Sequence, residues 1–501
     1  MTFRTLPEAS ELPRALYTAA QVRNFDRLAI EHFDIPGLTL MERAGRAAFG
    51  LIRQRWPDVR RICVLAGTGN NAGDGFVVAR LAHAEGIRVE VLQLGERERL
   101  RGDAAANAER WRELGGRWLP YEGIAVDTEL IVDALLGTGL EREVGGPWAA
   151  AIADANAHRA PCLAIDIPSG LHSDSGAVMG AAIRAEATIS FIGLKLGLFT
   201  GEGPEYAGAV AFAGLDVPAA VYASEILAAR RIDWAKQSQQ LTPRRRSAHK
   251  GHFGHVLVIG GNNGFGGAAR LAAEAALRVG SGLVSLATRP QHVPAALASR
   301  PEIMAHGVDG PEGLQPLLRQ ASVIVVGPGL GQDDWARALW AAAFDAERPL
   351  VVDADALRLL AAEPVRRDDW VLTPHPGEAA VLLACCNAEI NSQRLQAARQ
   401  LQQRYAGSAV LKGAGSIVSG EGSAPPAICT DGNPGMASGG MGDVLGGVIG
   451  GLLAQGFNPR EAAECGVCLH AAAADAAAAG GERGLLASDV IAQLRGMVNP
   501  A

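Results

Sequence analysis

The feature that most constrains this chain is a strand, glycine-loop, helix unit that occurs twice. In the first copy the apolar run Arg61–Ala66 (RICVLA) leads into the loop Gly67–Gly75 (GTGNNAGDG), and helical spacing follows over Phe76–Ala84. In the second, His255–Ile259 (HVLVI) leads into the glycine-rich loop 260–267 and then a helix over Ala268–Val279. Short, unbroken apolar runs followed by helical periodicity predict strands buried on both faces of a parallel sheet. Each copy opens its own alternation. Leu130–Ala134 and Cys162–Ile165 continue the first, and Val323–Val326, Leu350–Val352 and Ala409–Leu411 continue the second. The expected fold class is α/β with two domains, and 501 residues suffice for two cores. Between them Ala229–Lys250 is polar and basic and contains a proline, so the boundary is placed near residue 240, with domains at 1–235 and 240–501.

Composition removes several function classes. Apolar residues make up 48% and charged ones 20%, and the formal charge of −7 offers no general attraction to nucleic acid or an anionic membrane. The triplet Arg244–Arg246 reads as a solvated linker. Seven cysteines spread thinly over the chain argue for reduced thiols. Cys465, Cys468 and His470 resemble a metal-site spacing, but they lack a second Cys/His pair and sit in an alanine-rich helical pattern. The N-terminal stretch carries Glu8 and Glu11 and no apolar core, so no secretory signal is expected and a cytoplasmic location follows. Val444–Ala454 is too short to cross a bilayer and reads as a buried helix.

Chemistry concentrates in the loops that follow the strands, where open α/β sheets bind ligands. The stretch Gly432–Gly447 (GNPGMASGGMGDVLGG) places Asp443 behind a glycine cluster and ahead of an apolar run. Glycines opening a helix aim backbone N–H groups at a phosphoryl group, and an aspartate just beyond them is placed to take a proton from an attacking hydroxyl. The competing reading is a turn whose aspartate caps the helix. In the first half, Gly67–Gly75 joins turn glycines to Asn70, Asn71 and Asp74. Two further strand ends add Asp133 with Gly137–Gly139, and Asp166 with Ser169 and Gly170. Neither a P-loop nor a dinucleotide fingerprint fits these loops. Their oxygens suit a hard cation beside a phosphate.

The first half resembles the NAD(P)H-hydrate epimerase domain, whose motifs stand in order as LMERAGRA (Leu40–Ala47), the Asn70–Asn71 loop, DALLGTG (Asp133–Gly139) and DIPSGL (Asp166–Leu171). The resemblance implies a Rossmann-like three-layer sandwich. It also implies potassium held by Asn71, Asp133 and Ser169, and a hydrated nicotinamide dinucleotide contacted by Asn70, Asn71, Ala72, Gly73, Asp74, Gly137, Thr138, Gly139, Leu140, Glu141, Arg142, Glu143 and Asp166. Ala72 stands where the family usually has glycine. Asp133 and Asp166 are the acid/base candidates for epimerisation, with Asp133 foremost; each is also read as a helix cap or strand-end turn residue.

The second half resembles the ADP-dependent NAD(P)H-hydrate dehydratases of the ribokinase-like group. Its ordered motifs are VVGPGLG (Val325–Gly331), VVDADAL (Val351–Leu357), LTPHPGE (Leu372–Glu378), LKGAGS (Leu411–Ser416) and the Gly439–Asp443 loop. The resemblance implies a ribokinase-like three-layer sandwich with Asp443 as catalytic base. Lys412, Gly413, Ala414, Gly415, Ser416 and Gly442 would hold the AMP part of ADP, and Ala268, Gly329, His375 and Asp443 would contact the substrate. His375, set between two prolines, is read either as such a contact or as a structural histidine. Asn262, Asn263, Phe265 and Gly446 depart from the family pattern. The implied whole is a bifunctional repair enzyme for NADHX and NADPHX using ADP, K⁺ and Mg²⁺, forming a homo-oligomer, with no nucleic-acid or membrane partner. Two alternatives stay open: a small-molecule kinase sharing the glycine–aspartate anion hole, and an N-terminal half serving as a binding module without chemistry.

Overall fold

The computed structural model describes residues 12–499, and the chain divides into two compact units, Met1–Arg230 and Arg231–Ala501. In the first unit seven strands pair side by side in parallel: β1 (Arg61–Ala66), β2 (Arg88–Gln93), β3 (Arg117–Pro120), β4 (Leu130–Ala134), β5 (Cys162–Ile165), β6 (Ala187–Phe191) and β7 (Ala209–Ala213). Their spatial order is β3-β2-β1-β4-β5-β6-β7. The chain works outward from β1 to β3, then returns to place β4 on the other flank of β1. The loops after β1 and β4 consequently diverge at one point of the sheet edge, which opens a crevice there.

Helices α1 (Gly37–Arg55) and α2 (Asn70–Ala84) pack against each other in this unit. The sequence predicted helix only from Phe76, but α2 begins at Asn70. Gly69, in extended conformation, precedes it, and none of the residues 70–75 has positive φ. The glycines of this segment serve close packing instead of a turn. A Cβ on Gly75 would lie 2.7 Å from Ala134 Cβ on β4, so only glycine lets the helix settle onto the sheet. Ala72 is helical and wholly buried, which explains why alanine is tolerated there. Phe76, Val77 and Val78 are fully buried, each worth up to about 1.5–3 kcal/mol of transfer free energy.

The second unit contains β8 (His255–Ile259), β9 (Leu283–Thr288), β10 (Met304–Gly307), β11 (Val323–Val326), β12 (Leu350–Val352), β13 (Trp370–Leu372), β14 (Ser408–Leu411), β15 (Ile417–Ser419) and β16 (Ala427–Cys429), in the order β10-β9-β8-β11-β12-β13-β14-β15-β16. Pairing is parallel through β14 and antiparallel for the last two strands. Here the direction of winding reverses between β8 and β11. Helices α3 (Gly266–Val279), α5 (Met441–Ala454) and α6 (Pro459–Ala477) share one core with this sheet, while α4 (Pro376–Leu383) follows β13.

The polar stretch 229–250 is more ordered than its lack of periodicity suggested. It contains the strand Ala229–Ile232 and the single-turn helix Trp234–Gln237, capped by Asp233, whose side chain accepts from Lys236 N at 2.9 Å. Elements of four residues are too short to show a period. Arg244 is likewise not merely solvated: its guanidinium lies 3.6 Å from the Phe253 ring centroid and donates to Gln455 Oε1 at 2.9 Å.

Candidate active sites

At the winding reversal of the first unit lies a cleft of about 1000 Å³. It is lined by Asn70, Asn71 and Asp74 at the start of α2, by the loop Gly137, Thr138, Gly139, Leu140, Glu141 and Arg142 after β4, and by Asp166 after β5. Ala72, Gly73 and Glu143 do not line it. Ala72 and Gly73 face the interior of the unit, where a Cβ on Gly73 would overlap Met41.

Asp133 lies beneath the cleft, not in its wall. Its side chain is wholly buried, Oδ1 accepting from Ser169 Oγ at 2.6 Å and Oδ2 from Ser169 N at 2.7 Å. Burial pushes its carboxyl up to about 6, against the hydrogen bonds from Ser169 and Leu135, which favour the charged form. Asn71 adjoins the same point, its Nδ2 donating to the carbonyls of Leu136 and Ile165 at 3.0 and 3.1 Å. Leu136 O also accepts from Ser169 Oγ at 3.1 Å. A carboxylate, a hydroxyl, an amide and two carbonyls therefore converge, and the donor set is oxygen-rich with no sulfur or imidazole. That chemistry fits a hard monovalent cation.

The charged groups in the cleft wall form a different cluster. Lys195, whose side chain is 0% exposed, pairs with Asp166 and donates to Phe191 O at 2.9 Å and Ser190 Oγ at 3.2 Å. Asp166 adopts φ 68°, an uncommon backbone for a non-glycine residue, and accepts from Phe191 N at 3.1 Å. Asp26 and Asp74 complete the group. Burial, with the Asp166 charge adding to it, pushes Asp26 up to about 6 and Asp74 well above the usual carboxylate range, while Lys195 opposes both shifts. Three carboxylates and one ammonium thus share the cleft wall. Sequence reasoning missed Asp26 and Lys195. A lysine inside the apolar run ISFIGLKLGLF was the available signal, since a buried ammonium requires a partner.

In the second unit the loops on either side of the reversal are stitched together, Gly261 N donating to Pro328 O at 3.0 Å and Asn262 N to Gly329 O at 2.7 Å. Gly329 and Ala268 are neighbours: a Cβ on Gly329 would lie 3.2 Å from that of Ala268. Further along the sheet edge, Asp353 after β12, Glu378 in α4 and Lys412 after β14 meet. Lys412 Nζ lies 2.7 Å from Asp353 Oδ1 and 3.7 Å from Glu378 Oε2. Burial alone would lower the Lys412 pKa, but Asp353 and Glu378, with Asp443 adding less, outweigh it and raise it above the ordinary lysine value.

Asp443 is the third residue of α5 and is half-buried. The helix is entered through Gly440 at φ 91°, a left-handed conformation that glycine adopts without penalty. The first helical bond runs from Val444 N to Gly440 O at 3.0 Å, so the N–H groups of Met441, Gly442 and Asp443 have no carbonyl partner within the helix. Gly442 stands over the lysine, where a Cβ would be 3.2 Å from Lys412 Nζ. A helix N-terminus favours an ionised carboxylate, yet burial first and the charge of Asp353 second prevail, and Asp443 is pushed up to about 7 against the pull of Lys412. The result is a carboxyl poised near neutrality beside amides that lack a partner within the helix.

The remaining expected residues take various places. His375 caps α4, its Nδ1 accepting from Gly377 N at 3.0 Å and Glu378 N at 3.3 Å, with its side chain 54% exposed. The loop 412–416 turns through Gly413 and Gly415 at positive φ, Ser416 Oγ donates to Gly413 O at 3.0 Å, and Arg394 Nη2 donates to Lys412 O at 3.2 Å. Asp353 and Glu378 stood within quoted motifs but had been given no role. Among the described residues, no three His, Cys, Asp or Glu side chains gather around Asp443 closely enough to cage a metal.

A winding-reversal cleft over an oxygen-rich pocket in one unit, and in the other a helix-borne aspartate beside amides without helix partners, define a two-site nucleotide-type enzyme. Family models match both halves: residues 256–495 match the model described as NAD(P)H-hydrate dehydratase, and 37–197 that of the YjeF-related protein N-terminus. The chain is 47% identical to the bifunctional NAD(P)H-hydrate repair enzyme of Coxiella burnetii, over 97% of this chain and 99% of that one. It is 45% identical to the enzyme of the same name from Escherichia coli, over 98% of this chain and 95% of that one. A solved ribokinase-like superfamily protein from Enterococcus faecalis superposes with a TM-score of 0.50 at 30% identity, covering 55% of this chain and 96% of that one. The chain belongs to the bifunctional NAD(P)H-hydrate repair enzyme family. Among the described residues no helix is long and apolar enough to cross a membrane.

Proposed function

We propose that the first unit interconverts the 6R and 6S epimers of hydrated NADH and NADPH, and that the second dehydrates the S epimer while ADP becomes AMP and phosphate. The observation carrying this reading is the placement of Asp443 beside unpaired amides and a buried lysine. Hydroxide leaves poorly from carbon, so the hydroxyl at C6 is first phosphorylated. Asp443 takes the hydroxyl proton as oxygen attacks the terminal phosphorus of ADP, AMP departs, and the amides of Gly439–Asp443 hold the charge on the transferred group. The ring nitrogen's lone pair then expels phosphate, and loss of a proton from the adjacent carbon restores the dihydronicotinamide. Lys412–Ser416 and Gly442 receive the AMP portion, while Ala268, Gly329 and His375 border the substrate. The phosphates of ADP would carry Mg²⁺, which would supply further charge neutralisation there.

In the first unit Asp133, Ser169 and Asn71 would hold K⁺, which would supply fixed positive charge beneath the cleft. Since Asp133 is buried beneath the cleft, we assign acid/base work at C6 to Asp166 with Lys195, assisted by Asp26 and Asp74. Asn70, Asn71, Asp74 and the loop Gly137–Arg142 position the dinucleotide. The test is incubation of the purified chain with mixed-epimer NADHX, ADP, Mg²⁺ and K⁺. Full return of dihydronicotinamide absorbance supports both activities; return of only the S fraction contradicts the first, and no return contradicts the second.

A further inference from the structure

We propose that the second unit carries a site for a thiophilic divalent cation of the Zn²⁺ class, built from Cys429, Asp431 and Cys468. One sulfur comes from the end of β16, the carboxylate from the segment that follows, and the other sulfur from α6. One ligand atom from each residue lies within 4.8 Å of the others. Around tetrahedral zinc with Zn–S near 2.3 Å, neighbouring ligand atoms stand about 3.7 Å apart, so a contraction of roughly 1 Å closes the site.

Two features distinguish this cluster from thiols that merely fill a core. First, a carboxylate is turned against the two sulfurs and partly held there, Asp431 Oδ2 accepting from Trp234 N at 2.6 Å, which leaves Oδ1 available. Second, the surroundings are negative, with Asp233 and Asp475 as further neighbours of Asp431 and Arg231 as the opposing charge. Asp475 is itself occupied, accepting from Gly432 N and Asn433 Nδ2, both at 2.8 Å, and so anchors the segment after Asp431 to α6. Cys429 and Cys468 are 2% and 0% exposed, whereas Asp431 is half-buried beside the exposed Gly432, which gives an ion a way in and leaves a fourth position for water. The spacing Cys465, Cys468 and His470 misdirects the reading: only Cys468 of the three belongs to the cluster, and the buried His470 Nε2 has no hydrogen-bond partner among the described residues. Binding exchanges two S–H protons for two S–metal bonds and involves no change of oxidation state.

The test titrates chelator-stripped full-length protein with Co²⁺ as a spectroscopic stand-in for Zn²⁺, and follows alkylation of each cysteine by mass spectrometry. Expected are one equivalent of Co²⁺ with thiolate charge-transfer and tetrahedral d–d bands, displaced by Zn²⁺, and, in sub-denaturing urea where buried thiols open transiently, Zn²⁺ protection of Cys429 and Cys468 from alkylation by at least ~10-fold. Cys429→Ser with Cys468→Ser removes the bands, and Asp431→Asn weakens binding. The alkylation readout on the unaltered chain stands even if the double variant fails to fold. Absence of the bands, bands that survive in a folded double variant, or no protection overturns the proposal. So does mild oxidation yielding a Cys429–Cys468 disulfide in a protein that shows no Co²⁺ bands.

Discussion

Lys412 holds its ammonium 2.7 Å from the buried carboxylate of Asp353, directly below Gly442 in the first turn of the Asp443 helix. Asp353 is 1% exposed and Glu378 is also buried, so this lysine is the charge that makes two interior carboxylates tolerable. Replacing Lys412 with Met leaves them uncompensated at a cost of about 3–5 kcal/mol, to be read in urea denaturation. The same replacement removes a cation that favours ionised Asp443. Whatever activity persists at saturating ADP should then show its rising pH limb displaced upward.

In the unaltered chain that limb has a defined place. Asp443, pushed up to about 7, acts only when deprotonated, so log kcat/KM for ADP-driven dehydration should rise with unit slope below pH about 7 and level off above it. Stopped-flow rates on the S epimer between pH 5 and 9 check this. A profile flat through that interval is inconsistent with Asp443 as base.

Gly440→Ala tests the helix entry. The substitution places a Cβ in left-handed backbone, costing about 1–2 kcal/mol, and brings it 2.8 Å from Leu271 Cδ1. Thermal unfolding should register the loss, and kcat should fall more than KM rises, because the amides aimed at the phosphoryl group are displaced.

For the first unit, Asp166→Asn and Lys195→Met should each lower epimerisation by ~10²-fold or more while ADP-driven dehydration of pure S epimer stays near the unaltered rate. Chiral separation of the two epimers after incubation without ADP measures the first quantity. Equal loss of both activities would point to misfolding in place of a local role.

Potassium should raise the unfolding temperature of the full chain relative to lithium, since a ligand of the folded state stabilises it by mass action. Ser169→Ala and Asp133→Asn should abolish that difference. Differential scanning calorimetry in the two salts at equal ionic strength provides the comparison.

Much of this architecture was legible because buried parallel strands write themselves as unbroken apolar runs: RICVLA, LIVDA, CLAI, HVLVI and VIVV fall on strands with the bounds read from them. Glycine loops were less transparent. The segment 70–75 looked like a turn and is the first part of α2, since glycine serves close packing as readily as bending. Asp443 was visible from its neighbours in sequence, whereas its partners Asp353, Glu378 and Lys412 come from three separate strand ends, and only the order of strands joins them. Lys195 and Asp26 escaped because they lie far in sequence from Asp166 and Asp74, Asp26 within the helix Ala19–Glu31 and Lys195 on the short strand Leu194–Lys195. His375 was recognised as a placed residue, but its prolines do not reveal that Nδ1 is spent on capping α4.

The central claim is that Asp443 activates the hydroxyl of a hydrated coenzyme for phosphorylation. Its most direct test is single-turnover quenched flow on the 6S epimer with ADP, comparing the unaltered chain with Asp443→Asn and quantifying reduced coenzyme, AMP and phosphate together. Equal yields of all three are expected from the unaltered chain, and a drop of ~10²–10⁴-fold in their common rate in the variant with nucleotide binding retained. Near-normal turnover by Asp443→Asn, or a stable phosphorylated product without phosphate release from the unaltered chain, would contradict it.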